Sequence, residues 1–325
     1  MSQGISENTR RVYGNALRAI ERFYGERCWT LYPETDAGHL DDERFVAQAL
    51  SYLQSLIDAG RKSSTITLHL SALKHRAGFE NQVAFGALST KPVRAFMDGT
   101  IRSTSRVHIP RRAQALSMAQ VRAIYRVLDT ESPRGRRDLA LIALGLATAL
   151  RSQSLADLTL GDISPTVTID GIAVRVRFSK TDQRGKGTVI PVARYRKKKL
   201  DPVLALESWL DTLAVYGFTR ESHPQMPLFP AMRGNRGIQA SPMQNPNLTI
   251  TNVLRHALID AGICTPNEAR TFSSHSLRAS FVTLSNLAGV PERDVAAITG
   301  HKSMTALRGY DRTSIERSAQ TAYLG

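Results

Sequence analysis

Apolar residues recur at helical spacing through the first part of the chain. Val12, Ala16, Ile20 and Phe23 lie three or four residues apart, which is the spacing of one face of an α-helix. No segment before about residue 98 alternates with the period of two that a strand requires. We therefore expect an all-helical first domain.

Further amphipathic segments follow within this domain. One covers residues 41–61 and another covers residues 63–79, and glycines near their ends, Gly60 and Gly78, are the predicted helix stops. Residues 91–102 favour a short fourth helix. Together these segments predict a compact helical bundle.

Residues 101–114 differ from what precedes them. This stretch, IRSTSRVHIPRRAQ, carries four arginines, no acidic residue, one proline and no sustained period. Such a composition is typical of a linker. It divides the chain into a helical domain at 1–100, a basic linker at 101–114 and a second domain at 115–325.

The second domain begins with helical patterns. Residues 117–129 predict a capped helix, and residues 137–151 are so apolar that the helix they predict must be buried, with Arg151 at its end. The period then changes to two over residues 167–180, around a turn signal at Asp170 and Gly171. Residues 185–192 predict a third strand.

Helical patterns resume at residue 201 and are expected to continue to the C-terminus. The predicted fold class is therefore mainly α with a small antiparallel β-sheet. It combines a helical domain with an α+β domain.

The charge of the chain points to its partner. Lys and Arg number 43 against 28 Asp and Glu, so the net charge is +15. A protein this basic binds a polyanion, nucleic acid being the first candidate and an anionic membrane the second. No apolar run reaches the length of about 18 residues that a membrane-spanning helix needs. Cys28 and Cys264 lie far apart and form no redox or metal motif, so we expect a reducing, cytoplasmic setting and no metal site.

Four segments contain side chains that could bind a phosphate. His275 and Arg278 share the first turn of a predicted helix, where the free N–H groups attract anions, although a surface His–Arg pair is the simpler explanation of this spacing by itself. His301 follows a predicted helix end at Gly300, where a structural role is the simpler interpretation. The helical spacing of 280–300 also suits a helix-turn-helix DNA-binding unit without catalysis.

The remaining candidates have simple alternatives too. Arg151 must find an anion or water where the buried helix ends, and an ion pair with Asp157 or Asp162 would satisfy it. Lys180 follows the second strand, inside a stretch from residue 175 to 199 with ten basic residues and one acidic residue. A solvated face explains many such stretches, but a β-ribbon can also follow a phosphate backbone.

The order of these residues is more specific than any one of them. They occur as TALR, FSKTDQRGKG, HSLR, GHKS and GY, and Tyr310 stands nine residues after His301. In order and final spacing they resemble the tyrosine recombinase (phage integrase) family, over residues 114–325. The helical first domain is similar to the core-binding domain of its simple two-domain members.

The resemblance implies a site-specific recombinase that cleaves and rejoins DNA without metal or ATP. Tyr310 would attack a phosphodiester to form a 3′-phosphotyrosine. Arg151 and Arg278 would bind the non-bridging oxygens, and His301 would donate a hydrogen bond to them.

Two further roles and one departure complete this implied site. His275 would position the phosphate and accept the tyrosine proton, and Lys180 would protonate the leaving 5′-oxygen. Family members usually carry an acid three residues after the first arginine, where this chain has Ser154. Asp157, one turn later, is a possible substitute.

The implied partners are duplex recombination sites and three further copies of the chain. We expect a homotetramer on DNA, passing through a four-way junction, and a monomer or weak oligomer when free. A tail helix at about 312–325 would dock on a neighbouring subunit or fold back on its own domain. The expected DNA contacts are Lys62, Lys74, His75, Arg76, Arg106, Arg111, Arg112, Arg184 and Lys186.

Two other functions stay open from the residues alone. A type IB topoisomerase-like enzyme would use the same nucleophile to relax supercoils as a monomer. A non-catalytic helix-turn-helix regulator would bind DNA without needing Tyr310.

Overall fold

The structure is a computed structural model of the chain. It describes residues 5, 7–107, 113–166, 169–177, 187–235, 237–301 and 303–308, apart from the side chains of residues 8, 105–107 and 306. The chain forms two compact units, Met1–Pro110 and Arg111–Gly325. The border between them lies within the predicted linker; the roles of the two units stay predictions.

The first unit is helical. Its helices are α1 (Glu7–Gly25), α2 (Asp42–Asp58), α3 (Ser63–Glu80), α4 (Gln82–Ala87) and α5 (Lys91–Val107). They enclose a core in which Phe45, Ile66 and Leu88 are fully buried. Burial of such side chains is worth about 1.5–3 kcal/mol each, and this is what holds the helices together.

Two helix boundaries in this unit differ from expectation. Gly60 ends α2 as predicted, with a φ of +66° that suits glycine. Gly78 does not end α3, which continues to Glu80, where Asn81 takes an extended conformation and caps α4 by accepting from the Ala84 N–H. Helix α5 runs to Val107, so the first seven residues of the predicted linker, 101–107, are helical.

The second unit is mostly helical, and its helices pack around a hydrophobic core. Its helices are α6 (Met118–Val127), α7 (Pro133–Thr148), α8 (Ser152–Ala156), α9 (Pro202–Val215), α10 (Pro246–Asp260), α11 (Ser274–Leu287), α12 (Glu292–Thr299) and α13 (Met304–Arg308). Helix α7 packs against both α9 and α11. Trp209 of α9 is fully buried and donates its indole N–H to the Leu228 carbonyl at 2.7 Å, so its polar atom is satisfied in the core.

A three-stranded antiparallel sheet completes this core. Strands β1 (Ile163–Pro165), β2 (Gly171–Val176) and β3 (Thr188–Ala193) lie in that order. The predicted turn at Asp170 and Gly171 is wrong because Gly171 pairs with Ala193 inside the sheet. A Cβ at Gly171 would lie 2.1 Å from the Val192 carbonyl oxygen, so the glycine serves close strand approach.

A second, two-stranded sheet interrupts the helices expected up to the C-terminus. Strands β4 (Pro230–Arg233) and β5 (Gly237–Pro242) pair antiparallel. The turn between them contains Gly234 at a φ of +63° followed by Asn235, a turn signal that the sequence analysis overlooked. The predicted fold class, mainly α with small antiparallel sheets, is confirmed.

Composition gave two further expectations, on membrane spans and on cysteines. Within the described residues no helix is long and apolar enough to cross a membrane. Cys28 and Cys264 are free thiols.

Candidate active site

The end of α7 determines where Arg151 lies. The prediction that Arg151 ends this helix is wrong, because α7 stops at Thr148 and Ala149 turns left-handed at a φ of 51°. Arg151 instead precedes α8 as its N-cap residue and is half-buried. The left-handed turn thus frees Arg151 from the helix and leaves the carbonyl of Ala149 outside the helical hydrogen-bond ladder.

Neither ion pair considered for Arg151 forms in the described part of the chain. Asp157 accepts from the side-chain amide of Gln153 at 2.8 Å. Asp162 binds Arg177, whose Nε lies 2.7 Å from its Oδ1. Ser154, at the position of the family's usual acid, is 8% exposed. The proposed substitute, Asp157, is therefore engaged by a neighbour on its own helix.

Helix α11 carries the next two candidates and is fixed firmly at its start. Its cap is Ser273, which forms a reciprocal capping box with Ser276, so the predicted cap at Ser274 is wrong by one residue. Ser274 instead ties α11 to α10: its N–H donates to Thr251 at 2.9 Å and its hydroxyl donates to Asn247 at 2.7 Å. The first turn of α11 is thereby positioned against the core.

Close packing brings α11 to the end of α7. A Cβ on Gly145 of α7 would lie 2.8 Å from Cδ1 of Leu277, closer than real Cβ atoms approach. Leu277 itself is 2% exposed. Glycine at this position lets the two helices approach, and so the residue after Leu277 lies next to the α7 terminus.

That residue, Arg278, joins three chain segments. Its Nη1 donates to the carbonyl of Ala149 at 2.7 Å, and its Nη2 donates to the carbonyl of Thr299 at 2.6 Å. The same Nη2 lies 3.1 Å from Nε2 of His301. The side chain is only 3% exposed. Because these partners are neutral carbonyls and an imidazole, they fix the guanidinium without cancelling its charge.

His301 lies just beyond α12, as predicted. Gly300 ends the helix in a left-handed conformation at a φ of 65°, and Nδ1 of His301 lies 2.7 Å from the Thr299 hydroxyl. Burial, with added repulsion from Arg278 and Arg151, lowers the pKa of His301 to about 4. The imidazole is therefore neutral at pH 7 in the free protein, beside two cations.

The structure thus brings Arg151 to Arg278 and His301, which lie more than a hundred residues later in the sequence. His275 lies on the exposed side of the first turn of α11. Lys180 and Tyr310 fall outside the described residues, so their places in the site stay predictions.

One participant in the site, Thr299, was not predicted from the sequence. Its carbonyl binds Arg278 and its hydroxyl contacts His301. A single threonine at the end of a helix gives no signal of this in the sequence, because its contact with Arg278 arises only when α11 and α12 pack together.

The predicted DNA contacts of α3 differ in availability. Lys62 is exposed at the start of the helix. Lys74 is half-buried, and burial together with Arg94 lowers its pKa. His75 packs edge-on against Tyr13 at 5.3 Å between ring centroids. Arg76 is bound to two carboxylates.

The side chain of Arg76 donates Nε to Glu80 at 2.8 Å and forms a second ion pair with Glu21. These contacts raise its pKa against the opposing effect of burial. Both acids compete with any phosphate for this guanidinium. The other predicted contacts have side chains outside the described residues: Arg106, Arg111, Arg112, Arg184 and Lys186.

The sequence profile of the phage integrase family matches residues 114–317. The chain belongs to the phage integrase family. The match covers α6 to α13 and every residue of the proposed site.

Curated relatives span the chain further. An integrase/recombinase XerD homolog of Selenomonas ruminantium is 24% identical over 267 residues, covering 80% of this chain and 71% of that protein. Tyrosine recombinase XerD of Vibrio cholerae is 25% identical over 320 residues, covering 98% of this chain and 90% of that protein. The match to the Vibrio cholerae protein extends along nearly the whole chain, the helical first unit included.

Solved structures share the fold. The Tn1549 transposon integrase in complex with transposon right end DNA matches with a TM-score of 0.62 at 14% identity, covering 99% of this chain and 93% of that one. A lambda integrase tetramer bound to a Holliday junction matches with a TM-score of 0.54 at 20% identity, covering 95% and 73%. The fold is that of tyrosine recombinases.

Proposed function

We propose that this protein is a site-specific tyrosine recombinase that cleaves and rejoins duplex DNA through Tyr310. The observation that carries the proposal is the meeting of Arg151, Arg278 and His301 at the ends of α7, α11 and α12. A cluster of positive charge with one nearly buried guanidinium suits a phosphate whose charge grows in the transition state. Family membership supplies the reaction class.

The proposed step is a phosphoryl transfer. The Tyr310 oxygen attacks the phosphorus, the bond from phosphorus to the 5′-oxygen breaks, and a 3′-phosphotyrosine forms. His275 accepts the phenol proton, and Lys180 gives a proton to the leaving oxygen. Because the phosphotyrosine ester replaces the broken phosphodiester and keeps its bond energy, attack by another 5′-hydroxyl reverses the step and rejoins the strand.

Charge stabilisation is the part of the chemistry for which the geometry gives most support. The guanidinium of Arg278 is buried and is held in one orientation by two carbonyls. The side chain therefore needs little reorganisation before the reaction. Arg151 is half-buried and joins no ion pair among the described residues. Both guanidiniums can bind two phosphate oxygens at once, as a lysine could not.

Metal-free catalysis is a further part of the proposal. In the part of the chain that the structure describes, no three His, Cys, Asp or Glu side chains form a group that could hold a metal ion. The two arginines would supply the charge that a metal supplies in other phosphoryl transfers.

Duplex DNA is the proposed partner, and a homotetramer is the proposed assembly. The net charge of +15 favours DNA. The lambda integrase structure is a tetramer on a Holliday junction, and its fold is shared over most of this chain. The tail at 312–325, which we propose links neighbouring subunits, lies outside the described residues. A cytoplasmic location follows if the DNA is that of a bacterial cell.

The alternative functions have less support. Type IB relaxation is not favoured, because the curated relatives named above are recombinases and an integrase homolog. A helix-turn-helix regulator is not favoured, since α12 begins with Glu292 and Asp294, which would repel phosphates at the end that enters a groove. Most of the preceding helix, α11, is buried in the core.

The test is a denaturing trap for the covalent intermediate. Labelled duplex from the flanks of the gene is incubated with the protein, quenched with SDS and examined for a protein–DNA adduct. We expect an adduct with the wild type and none with Tyr310→Phe, which should still bind the duplex in a native gel. Tyr216→Phe, at an exposed tyrosine just after α9, is the matched control and should form the adduct normally.

Either failure is informative. Specific binding without any wild-type adduct would favour the regulator. An adduct that persists in Tyr310→Phe would show that another residue is the nucleophile.

A further inference from the structure

The position of the proton on His301 can be deduced from its two neighbours. Nε2 of His301 lies 3.1 Å from Nη2 of Arg278. A guanidinium has only donor N–H groups. For this contact to be a hydrogen bond, Nε2 must present its lone pair, and in a neutral imidazole the single proton then lies on Nδ1.

The other side of the ring leads to the same conclusion. The Thr299 hydroxyl lies 2.7 Å from Nδ1 and also 2.7 Å from the carbonyl of Val295, one turn earlier in α12. A hydroxyl has one proton, and the carbonyl can only accept it. If Thr299 donates to Val295, its oxygen is left to accept the Nδ1 proton. Each of these contacts then has one donor and one acceptor.

These contacts form an ordered relay of four groups. Arg278 donates to Nε2, Nδ1 donates to the Thr299 hydroxyl, and that hydroxyl donates to Val295. Thr299 is 4% exposed, so water does not replace its hydroxyl at low cost. The carbonyl of Thr299 also accepts from Arg278, so this one residue contacts both Arg278 and His301.

We propose that Thr299 is a positioning residue that holds His301 with its proton on Nδ1 and directs Nε2 into the phosphate site. This rests on the proposed function, in which His301 donates to the phosphate. In the free protein Nε2 accepts from Arg278 and cannot donate. His301 must therefore take up one proton at Nε2 when a phosphate arrives, while Nδ1 keeps its bond to Thr299 in both states.

The charges around the ring make such proton uptake depend on the phosphate. Arg278 of α11 and Arg151 of the loop before α8 both oppose a positive imidazole. On α13, Arg308 is paired with Glu292 of α12, and His275 is the other titratable ring on α11. A phosphate anion adds the opposite charge, which favours protonation at the nitrogen that faces it.

The first measurement is nitrogen NMR on the free wild-type protein, with His301 assigned by the loss of its signals in His301→Gln. We expect Nδ1 in the protonated range and Nε2 in the unprotonated range at neutral pH. A proton on Nε2 in the free protein would overturn the proposal. Because this result needs no DNA cleavage, it stands even if the protein proves not to be a recombinase.

The second measurement is the rate of adduct formation between about pH 5 and pH 9. Thr299→Val keeps the shape of the side chain but leaves Nδ1 without its acceptor. We expect a rate about tenfold lower, as loss of a hydrogen bond to a charged group implies, and a shifted pH profile, with DNA affinity unchanged. Thr299→Ser keeps the hydroxyl and should restore both rate and profile.

Thr100→Val is the matched control. Thr100 is also buried and donates to a carbonyl one turn earlier, that of Phe96 at 2.9 Å, but it lies in the helical first unit. The Thr100→Val variant should leave the rate of adduct formation and its pH profile unchanged. A wild-type rate and profile in Thr299→Val would overturn the proposal; if that variant fails to fold, the NMR result and Thr299→Ser still decide it. Absence of an adduct in the wild type would count against the proposed function alone.

Discussion

Two regions of this molecule each contain an arginine that we propose contacts a DNA phosphate, and the two arginines are held in opposite ways. In the second unit, Arg278 donates to the carbonyls of Ala149 and Thr299. In the first unit, Arg76 of α3 is bound by the carboxylates of Glu21 and Glu80. Carbonyls orient a cation and leave its charge in place, whereas carboxylates orient it and cancel the charge. Burial therefore does not decide whether an arginine can serve an anion; the charge of its partners does.

The largest effect is expected when Arg278 is changed. An ammonium group lacks the flat five-donor fork with which a guanidinium binds two phosphate oxygens while it is held by carbonyls, so Arg278→Lys should slow adduct formation by about 10²–10³-fold. Arg255→Lys is the matched control, because Arg255 also donates to two carbonyls, those of Phe272 at 2.8 Å and Arg270 at 3.0 Å. The rate of adduct formation per folded molecule is the readout. Equal losses in the two variants would break the comparison.

The charge left on Arg278 should also appear in the pH dependence of stability. Burial and the two arginines lower the pKa of His301 to about 4, against about 6.5 in the unfolded chain. Between these values the unfolded chain binds more protons, so the free energy of unfolding should fall as the pH drops from about 6.5 towards 4. Above about pH 6.5, His301 is neutral in both states and the free energy of unfolding no longer depends on its protonation.

Urea unfolding at a series of pH values measures this slope. His301→Gln should remove the part of the slope that His301 contributes, so the difference between variant and wild type should change within this window alone. Parallel curves for the two proteins would show that the cations near His301 are screened or neutralised.

A smaller effect is expected on DNA affinity in α3. Lys62→Ala should weaken binding a few-fold and reduce the salt dependence by about one phosphate contact. Arg76→Ala should change the salt dependence less, because its charge is already paired, and should lower the free energy of unfolding by about 0.5–1 kcal/mol. Gel shifts at several salt concentrations separate the two. A larger salt effect from Arg76 would show that DNA displaces its carboxylates.

The smallest effect is expected at the left-handed turn that places Arg151. Ala149→Gly should relieve about 1 kcal/mol of backbone strain and lose a buried methyl group worth about 0.8 kcal/mol, so the free energy of unfolding should change by less than about 0.5 kcal/mol. Ala143→Gly, inside α7 and equally buried, should cost about 1.5–2 kcal/mol. Thermal or urea unfolding compares them, and equal losses would show that Ala149 is not strained.

The fold class followed from the sequence because it depends on the period of apolar residues, whereas the site residues were predicted from a resemblance in order and spacing to a known family. The apolar period of α7 and the alternation of β2 are local properties of the chain. The end of α7 was mispredicted because Ala149 takes a conformation that alanine seldom adopts. Packing against α11, through the bond from Arg278 to its carbonyl, supports that turn, and no local pattern encodes it.

The relay around His301 was missed for a related reason. Thr299 and His301 are neighbours in sequence, but the proton on His301 is set by Arg278, a residue of another helix. Conversely, the capping residue of α11 was wrong by one position only because SSHS offers two adjacent serines. Sequence identifies which residues have suitable chemistry; tertiary contacts decide how each is used.

The register of the three-stranded sheet has a consequence for how this enzyme can change over evolution. Val176 pairs with Thr188, and Arg177, the next residue, is fastened to Asp162 by hydrogen bonds of 2.7 and 3.0 Å. Residues 178–186, with Lys180 among them, are thus inserted between two fixed attachment points on adjacent strands. Doubling the length of such an insertion costs only about 0.6 kcal/mol. Changes in the length of this segment that keep Lys180 should therefore leave the fold of the second unit intact.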